Sequence, residues 1–345
     1  ARAAALVEAF QKEHYVTVIA EPDLSGIAVT TGDNGYYFSG GALDHNFMST
    51  LFGSAVKKAT HDCKPLMRQL LAQGYPADGF IFDTALAAYD LDATQGSYDL
   101  DRVVLQQLGF EIGRADPAEA GEEAARVCAR LAEASAVDAL YCVLPEKLQK
   151  SGMEKLYYEI ELPLCQVLAE MEVAGVKADQ MALISFGSML QSRIEAAQET
   201  IFNFAGREFN INSTKQLGEI LFDELKLPAG KKTKSGYSTN ADVLEKLKGK
   251  HPIIEAILDY RAMTKLKSTY ADGLVKQIAD DGRIHTTFQN MVTATGRLSS
   301  TDPNLQNIPV RTELGSEIRK MFVPDDGCVF VDADYSQIEL RVLAH

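Results

Sequence analysis

The chain has 345 residues, enough for two or three domains with ample core. Its 34 basic and 48 acidic residues give a net charge of −14, which argues against a generic nucleic-acid binder held by overall attraction. No apolar run approaches the roughly 20 residues of a membrane-spanning helix, and five cysteines without C-x-x-C or metal-finger spacing fit reduced cytosolic thiols.

Residues Ala1 to Phe10 read as the end of a linker. Tyr15–Ala20, Ser25–Thr30 and Tyr36–Phe38 are rich in β-branched and aromatic residues and read as short strands, with Asp33-Asn34-Gly35 as a hairpin turn signal. Helical spacing follows through Val56–Ala72. Gly79–Asp83 then reads as a buried strand leading into a helix over Thr84–Leu91. An Ala-rich helix, Glu122–Val143, closes a first domain near Gly152. Strands first, then alternating β and α, predict a mixed sheet flanked by helices.

From Lys155 the pattern changes to long helices. Leu164, Val167, Leu168 and Met171 recur at i, i+3, i+4 and i+7, and Gly175 ends the run. Met181–Phe204, Leu217–Leu225, Ala241–Leu247 and Ile253–Ile278 read as further helices around a Lys/Gly loop at Gly230–Tyr237. The fold class is therefore α/β followed by a mostly α part. Charge is uneven as well. Residues 1–150 hold 12 basic and 21 acidic residues, whereas Lys231–Lys267 holds nine basic against four acidic. A basic surface inside an acidic protein suits a partner gripped in one place, although a solvated charged face has the same composition.

The closing stretch concentrates the chemistry. Val329-Phe330-Val331 reads as a buried strand running into Asp332 and Asp334, a natural place for carboxylates that hold a divalent metal. Residues two apart on a strand share a face, so Asp332 and Asp334 stand on one side. The same residues have plainer readings. Ser336-x-x-Glu339 is a capping box, Asp302-Pro303-Asn304 is a turn, and Ile338, Leu340 and Val342 are core positions.

Asp334-Tyr335-Ser336-Gln337-Ile338-Glu339-Leu340-Arg341 resembles the first catalytic motif of the family-A DNA polymerases. The run Thr295-Gly296-Arg297-Leu298-Ser299-Ser300 through Asn304-Leu305-Gln306-Asn307-Ile308-Pro309 is similar to that family's primer–template segment. Phe209–Leu217, Lys231–Thr239 and Tyr260–Tyr270 are similar to its thumb. The match is collinear from about Tyr157 to His345 and looser before that.

The resemblance implies a ribonuclease-H-like 3′–5′ exonuclease-type domain over 1–152. A thumb with an adjoining palm helix would follow over 153–284, and the start of the palm over 285–345. It implies Asp334 as a catalytic residue and metal ligand, with the Tyr335 carbonyl ligating a Mg²⁺ ion. Glu339 would exclude a ribose 2′-hydroxyl and Arg341 would fix the charges of the site. Lys231, Lys232, Lys234, Arg261, Lys265 and Lys267 would neutralise backbone phosphates. Arg297 would reach the minor-groove edge of the primer terminus, with Gln306, Asn307 and Arg311 contacting the duplex nearby.

The partners implied are primer–template DNA and deoxynucleoside triphosphates, for a monomer in the cytoplasm at the nucleoid. The family's second catalytic aspartate and its fingers helix are not found in these 345 residues, so the chain is expected to be an amino-terminal part that does not polymerise alone. The nuclease element is also expected to be inactive. Glu21-Pro22-Asp23 has the wrong order for the family's Asp-x-Glu, Asp62 matches its middle aspartate, and the last Tyr-x-x-x-Asp is not recognisable. A 3′–5′ exonuclease and a non-catalytic primer–template-binding module are the alternatives.

Overall fold

Val16–Ala20 (β1) and Gly26–Thr31 (β2) pair antiparallel, and β2 pairs antiparallel with Asn34–Ser39 (β3). Lys58–Thr60 (β4) and Phe80–Asp83 (β5) extend the sheet on the other side of β1 in parallel, giving the order β3-β2-β1-β4-β5. The computed structural model describes residues 2–228, 236–309 and 312–345. Packing divides them into two units, Ala1–Gly175 with Thr286–Gln306, and Val176–His285 with Asn307–His345. These limits differ from sequence borders at 152/153 and 284/285 because the Leu162–Ala174 helix and the Thr287–Thr301 hairpin pack with the first unit.

The core of the first unit lies on the Val/Ile-rich strands β1 and β2, covered by the Glu122–Tyr141 helix and by Phe82, Leu86 and Tyr157. Asp83, at the end of β5, organises its neighbours. Its carboxylate is buried and accepts from the amides of Ala85 (2.9 Å) and Leu86 (3.2 Å), capping the Thr84–Leu91 helix. The same carboxylate accepts from the amides of Asp62 (2.9 Å) and Cys63 (2.6 Å), which open the Cys63–Ala72 helix. One side chain thus satisfies orphan donors at two helix starts. The Tyr157 hydroxyl accepts from the Asp83 amide (2.6 Å) and donates to the Asp83 carbonyl (3.0 Å).

A second buried carboxylate ties the later chain to this frame. Glu172, on the Leu162–Ala174 helix, is 1% exposed and accepts from Lys64 Nζ at 2.6 Å and Arg68 at 3.4 Å. It also accepts from the backbone amide of Phe288 at 2.9 Å. Thr287–Gln289 (β8) and Ser299–Thr301 (β9) form the antiparallel hairpin that this contact seats.

In the second unit, the Gln180–Ala205 helix packs along the Pro252–Lys265 helix. Asp179 caps the first by accepting from Ala182, and Gly206 ends it in the left-handed region that glycine favours. The second runs through a wide π-helical turn, Leu266–Ala271, into Asp272–Val275. Val176–Lys177 (β6) pairs antiparallel with Arg283–Ile284 (β7).

Several expectations are corrected. The first residues are a helix, Arg2–Phe10, anchored by fully buried Val7 and Phe10, rather than a linker end. The hairpin turn lies at Gly32-Asp33, since Asn34 already pairs with Thr31. Lys58–Thr60 is a strand within the stretch read as helical, and its lysine is buried. Lys58 Nζ donates to the carbonyls of Val56 (2.7 Å) and Gly53 (3.1 Å), and burial pulls its pKa down to about 7. The Leu162–Ala174 helix forms, but Val167 and Met171 are exposed; its buried side is Leu162, Cys165, Leu168, Ala169 and Glu172.

The largest correction concerns the closing stretch. Val329, Phe330 and Val331 are 79%, 58% and 86% exposed and form no strand. Ile338, Leu340 and Val342 are exposed rather than core. The Ile338–Ala344 helix starts after Gln337 with no side-chain cap, so the capping box does not form.

Tyr157→Phe removes a hydroxyl that serves both Asp83 backbone groups away from water. It should destabilise the protein by about 1–3 kcal/mol, read as a lower urea midpoint with an unchanged denaturant slope.

Candidate nucleic-acid interface

The sequence-predicted residues fall into three places. In the first unit, the hairpin β8–β9 carries the loop Thr293–Arg297. The Arg297 side chain is exposed, and its carbonyl accepts from Thr293 Oγ1 at 2.7 Å, closing the loop. Gly296 has a φ of 73°, which a residue with a Cβ takes at a cost. The Tyr89 hydroxyl donates to the Thr293 carbonyl at 2.8 Å. Beyond β9, Thr286 Oγ1 bonds Ser300 Oγ (2.6 Å) and donates to the Pro303 carbonyl (2.8 Å), and exposed Gln306 follows.

In the second unit, Arg261 is half-buried. Its guanidinium donates to the carbonyl of Thr239 and, at 3.3 Å, to that residue's hydroxyl. Burial lowers its pKa from the ordinary value. Asn212, Thr214, Tyr237, Ser238 and Asn240 line the same polar hollow. Lys267 is engaged by Asp272 at 2.6 Å, whereas Lys265 is exposed. The Asn307 carbonyl accepts from the Tyr270 hydroxyl, which ties this exposed residue to the π-helical turn. Lys231, Lys232, Lys234 and Arg311 lie outside the described residues.

The third place is the closing segment of the second unit. Asp332, Asp334, Tyr335, Glu339 and Arg341 are all exposed. The Arg341 Nε donates to the Ser336 carbonyl at 3.1 Å, which folds that guanidinium back over the helix start. The oxygens of Asp334 and Tyr335 are hard donors of the type Mg²⁺ takes, usually one or two carboxylates completed by phosphate and water. Among the described residues no group of three or more His, Cys, Asp or Glu could hold a metal ion.

The first unit also contains a cleft of about 550 Å³ lined by Glu21, His61, Asp62, Lys64, Arg68, Arg130 and Glu133 among others. Its carboxylates are largely spoken for. Glu21 pairs with Arg130 at 3.2 Å and Arg126 at 4.0 Å, Glu133 pairs with Arg130 at 2.6 Å, and Glu172 pairs with Lys64. Asp62 has a φ of 53°, unusual for a residue with a side chain. Burial, and then the charge of Asp83, push its pKa up to about 7.

Sequence reasoning missed Tyr89, Lys64, Arg68 and Glu172. Tyr89 lies in the largely apolar Thr84–Leu91 helix, and a buried phenol needs a partner for its hydroxyl. Glu172 follows Leu162, Cys165 and Ala169 at helical spacing, so a carboxylate on the buried side was visible in principle.

Residues 180–345 match the model of DNA polymerase family A. DNA polymerase I of Geobacillus stearothermophilus is 46% identical, over 88% of this chain and 36% of that protein. DNA polymerase I of Bacillus caldotenax is 43% identical, over 100% of this chain and 40% of that protein. DNA polymerase I of Bacillus subtilis is 46% identical, over 84% and 34%. A solved structure, the POL domain of Pol1 from M. smegmatis in complex with DNA primer-template and dNTP, is similar with a TM-score of 0.85 and 37% identity. That likeness covers 100% of this chain and 61% of the other. The chain thus spans well under half the length of these curated relatives. Among the described residues no helix is long and apolar enough to cross a membrane.

The raised pKa of Asp62 fixes the sign of a pH effect. A carboxyl that titrates higher folded than unfolded stabilises the fold below its ordinary range, and loses that contribution as pH rises toward about 7. Urea unfolding at pH 4.5 and 7.5 should therefore show wild type losing more stability than Asp62→Asn over that interval. Parallel pH profiles for the two proteins would contradict the assignment.

Proposed function

This chain belongs to DNA polymerase family A, and from that premise we propose that it is the primer–template-holding part of a DNA polymerase I. Such an enzyme makes DNA on a template from deoxynucleoside triphosphates. The observation that carries the reading is the order of the motifs: the thumb-like segments, the Gly296-Arg297 loop and Asp334 follow one another within the stretch that matches the family model, and the latter two stand on exposed segments. In the same reading, 1–152 would be an exonuclease-type domain, 153–284 the thumb and adjoining helix, and 285–345 the start of the palm. The site would work in the cytoplasm at the nucleoid, as a monomer.

In this reading Arg297, Gln306, Asn307 and Arg311 hold the duplex near the primer terminus. Lys231, Lys232, Lys234, Arg261, Lys265 and Lys267 meet phosphates without reading sequence. Asp334 and the Tyr335 carbonyl would hold Mg²⁺, which when bound neutralises phosphate charge and favours attack by the primer 3′-oxygen. Glu339 would crowd a ribose 2′-hydroxyl. Arg341, whose Nε donates to the Ser336 carbonyl, would supply positive charge to the site.

The first unit has a strand order and a mix of antiparallel and parallel pairs that fit a ribonuclease-H-like domain. Its nuclease chemistry is expected to be absent. Metal-dependent phosphodiester cleavage needs several free carboxylates, and in the cleft Glu21, Glu133 and Glu172 are paired with basic side chains.

Two measurements test this. Primer–template binding by the 345-residue chain should weaken steeply with salt, and Arg297→Ala should weaken it about tenfold; unchanged affinity in that variant would sink the DNA-holding role. With end-labelled primer, Mg²⁺ and deoxynucleotides, this polypeptide should leave the primer neither extended nor digested. Extension that disappears in Asp334→Ala would instead reveal a complete site.

A further inference from the structure

The hairpin that carries Arg297 is too small to fix its own shape. Its strands are three residues each, and an isolated two-stranded hairpin is marginal in water. Its conformation is therefore imposed by what it touches, and the contacts converge from the helices of the first unit. At the root, the Phe288 amide donates to Glu172 at 2.9 Å and Arg68 donates to Thr287 Oγ1 at 3.0 Å. Further along, Asn290 Nδ2 donates to Cys165 Sγ at 3.5 Å.

At the tip, the Tyr89 hydroxyl donates to the Thr293 carbonyl. Thr293 in turn closes the loop through its hydroxyl on the Arg297 carbonyl. The path from Tyr89 to the residue that bears the guanidinium is two hydrogen bonds long. Tyr89 itself is 3% exposed and stands edge-on to Tyr98, so its ring is fixed.

We propose that Tyr89 is a positioning residue for Arg297, and that the exonuclease-type unit contributes to primer–template binding by holding this loop. The inference rests on the DNA-holding reading above and extends it to residues that do not touch DNA. Glu172, with Lys64 and Arg68, seats the hairpin root; Tyr89 sets the tip. The first unit thereby has a task independent of cleaving phosphodiester bonds.

The test is a double-mutant cycle on the 345-residue chain. Affinity for a fluorescent primer–template is measured by anisotropy for wild type, Tyr89→Phe, Arg297→Ala and the double variant, each with its melting temperature. Tyr89→Phe keeps the ring and removes only the hydroxyl. It should weaken binding about three- to tenfold, as expected for one hydrogen bond. In the Arg297→Ala background the same change should have no further effect. Thr293→Val, which keeps the shape of the side chain and removes the loop-closing hydroxyl, should behave as Tyr89→Phe does and serves if that variant folds poorly.

Wild-type affinity in both Tyr89→Phe and Thr293→Val, with Arg297→Ala weakened, would overturn the positioning role and leave the DNA-holding reading intact. Equal losses from Tyr89→Phe with and without Arg297 would also overturn it, because a merely structural contact acts independently of that side chain. Unchanged binding in Arg297→Ala would remove the premise, and the inference would fall with it.

Discussion

The first unit depends on a buried carboxylate that belongs to two helices at once. Asp83 accepts four backbone amides, two at the start of the Cys63 helix and two at the start of the Thr84 helix. Taking a carboxylate out of water is costly unless its oxygens are satisfied, and here the donors are amides that would themselves be orphans. The arrangement fixes two helix origins to the end of one strand. Those helices supply part of what grips the β8–β9 hairpin. Arg68 from the first touches Thr287, and Lys64 beside it holds Glu172 of the Leu162–Ala174 helix against the Phe288 amide; Tyr89 from the second reaches Thr293. A core position and an exposed loop are therefore linked through rigid elements rather than through proximity.

Much of the central architecture was legible because its causes are local. The strands β1 to β3 announce themselves through β-branched and aromatic residues, and the Thr84–Leu91 helix follows directly on the apolar strand that ends at Asp83. Lys58–Thr60 was not legible: three residues beginning with a lysine offer no strand signal, and only two buried carbonyls make a lysine acceptable there. The Leu162–Ala174 helix was recognised but turned the wrong way. Apolar spacing assumes that a carboxylate faces water, and Glu172 breaks that assumption because Lys64 and Arg68 arrive from another helix.

The candidate interface shows the same division. The Gly296-Arg297 loop and the Asp334 motif are short, ordered sequence features, so they could be found without a structure. What holds the loop could not, since Tyr89 and Glu172 lie more than one hundred residues away in the chain. At the other motif, the apolar run Val329–Val331 looked like a buried strand but is exposed and forms no strand. β-propensity describes a fit to a half-buried pleated surface; without such a surface to join, the segment does not express it.

The ion pairs of the cleft have a consequence for how the first unit keeps its shape. Glu21, Glu133 and Glu172 face Arg130, Arg126, Lys64 and Arg68. A cluster of acids organised by dissolved divalent ions would exchange them with solvent, and a chelator would disperse it. Here the counter-ions are tethered to the backbone, at a local concentration that dialysis cannot lower. These three acids are thus balanced by the chain itself, without drawing on ions from solution.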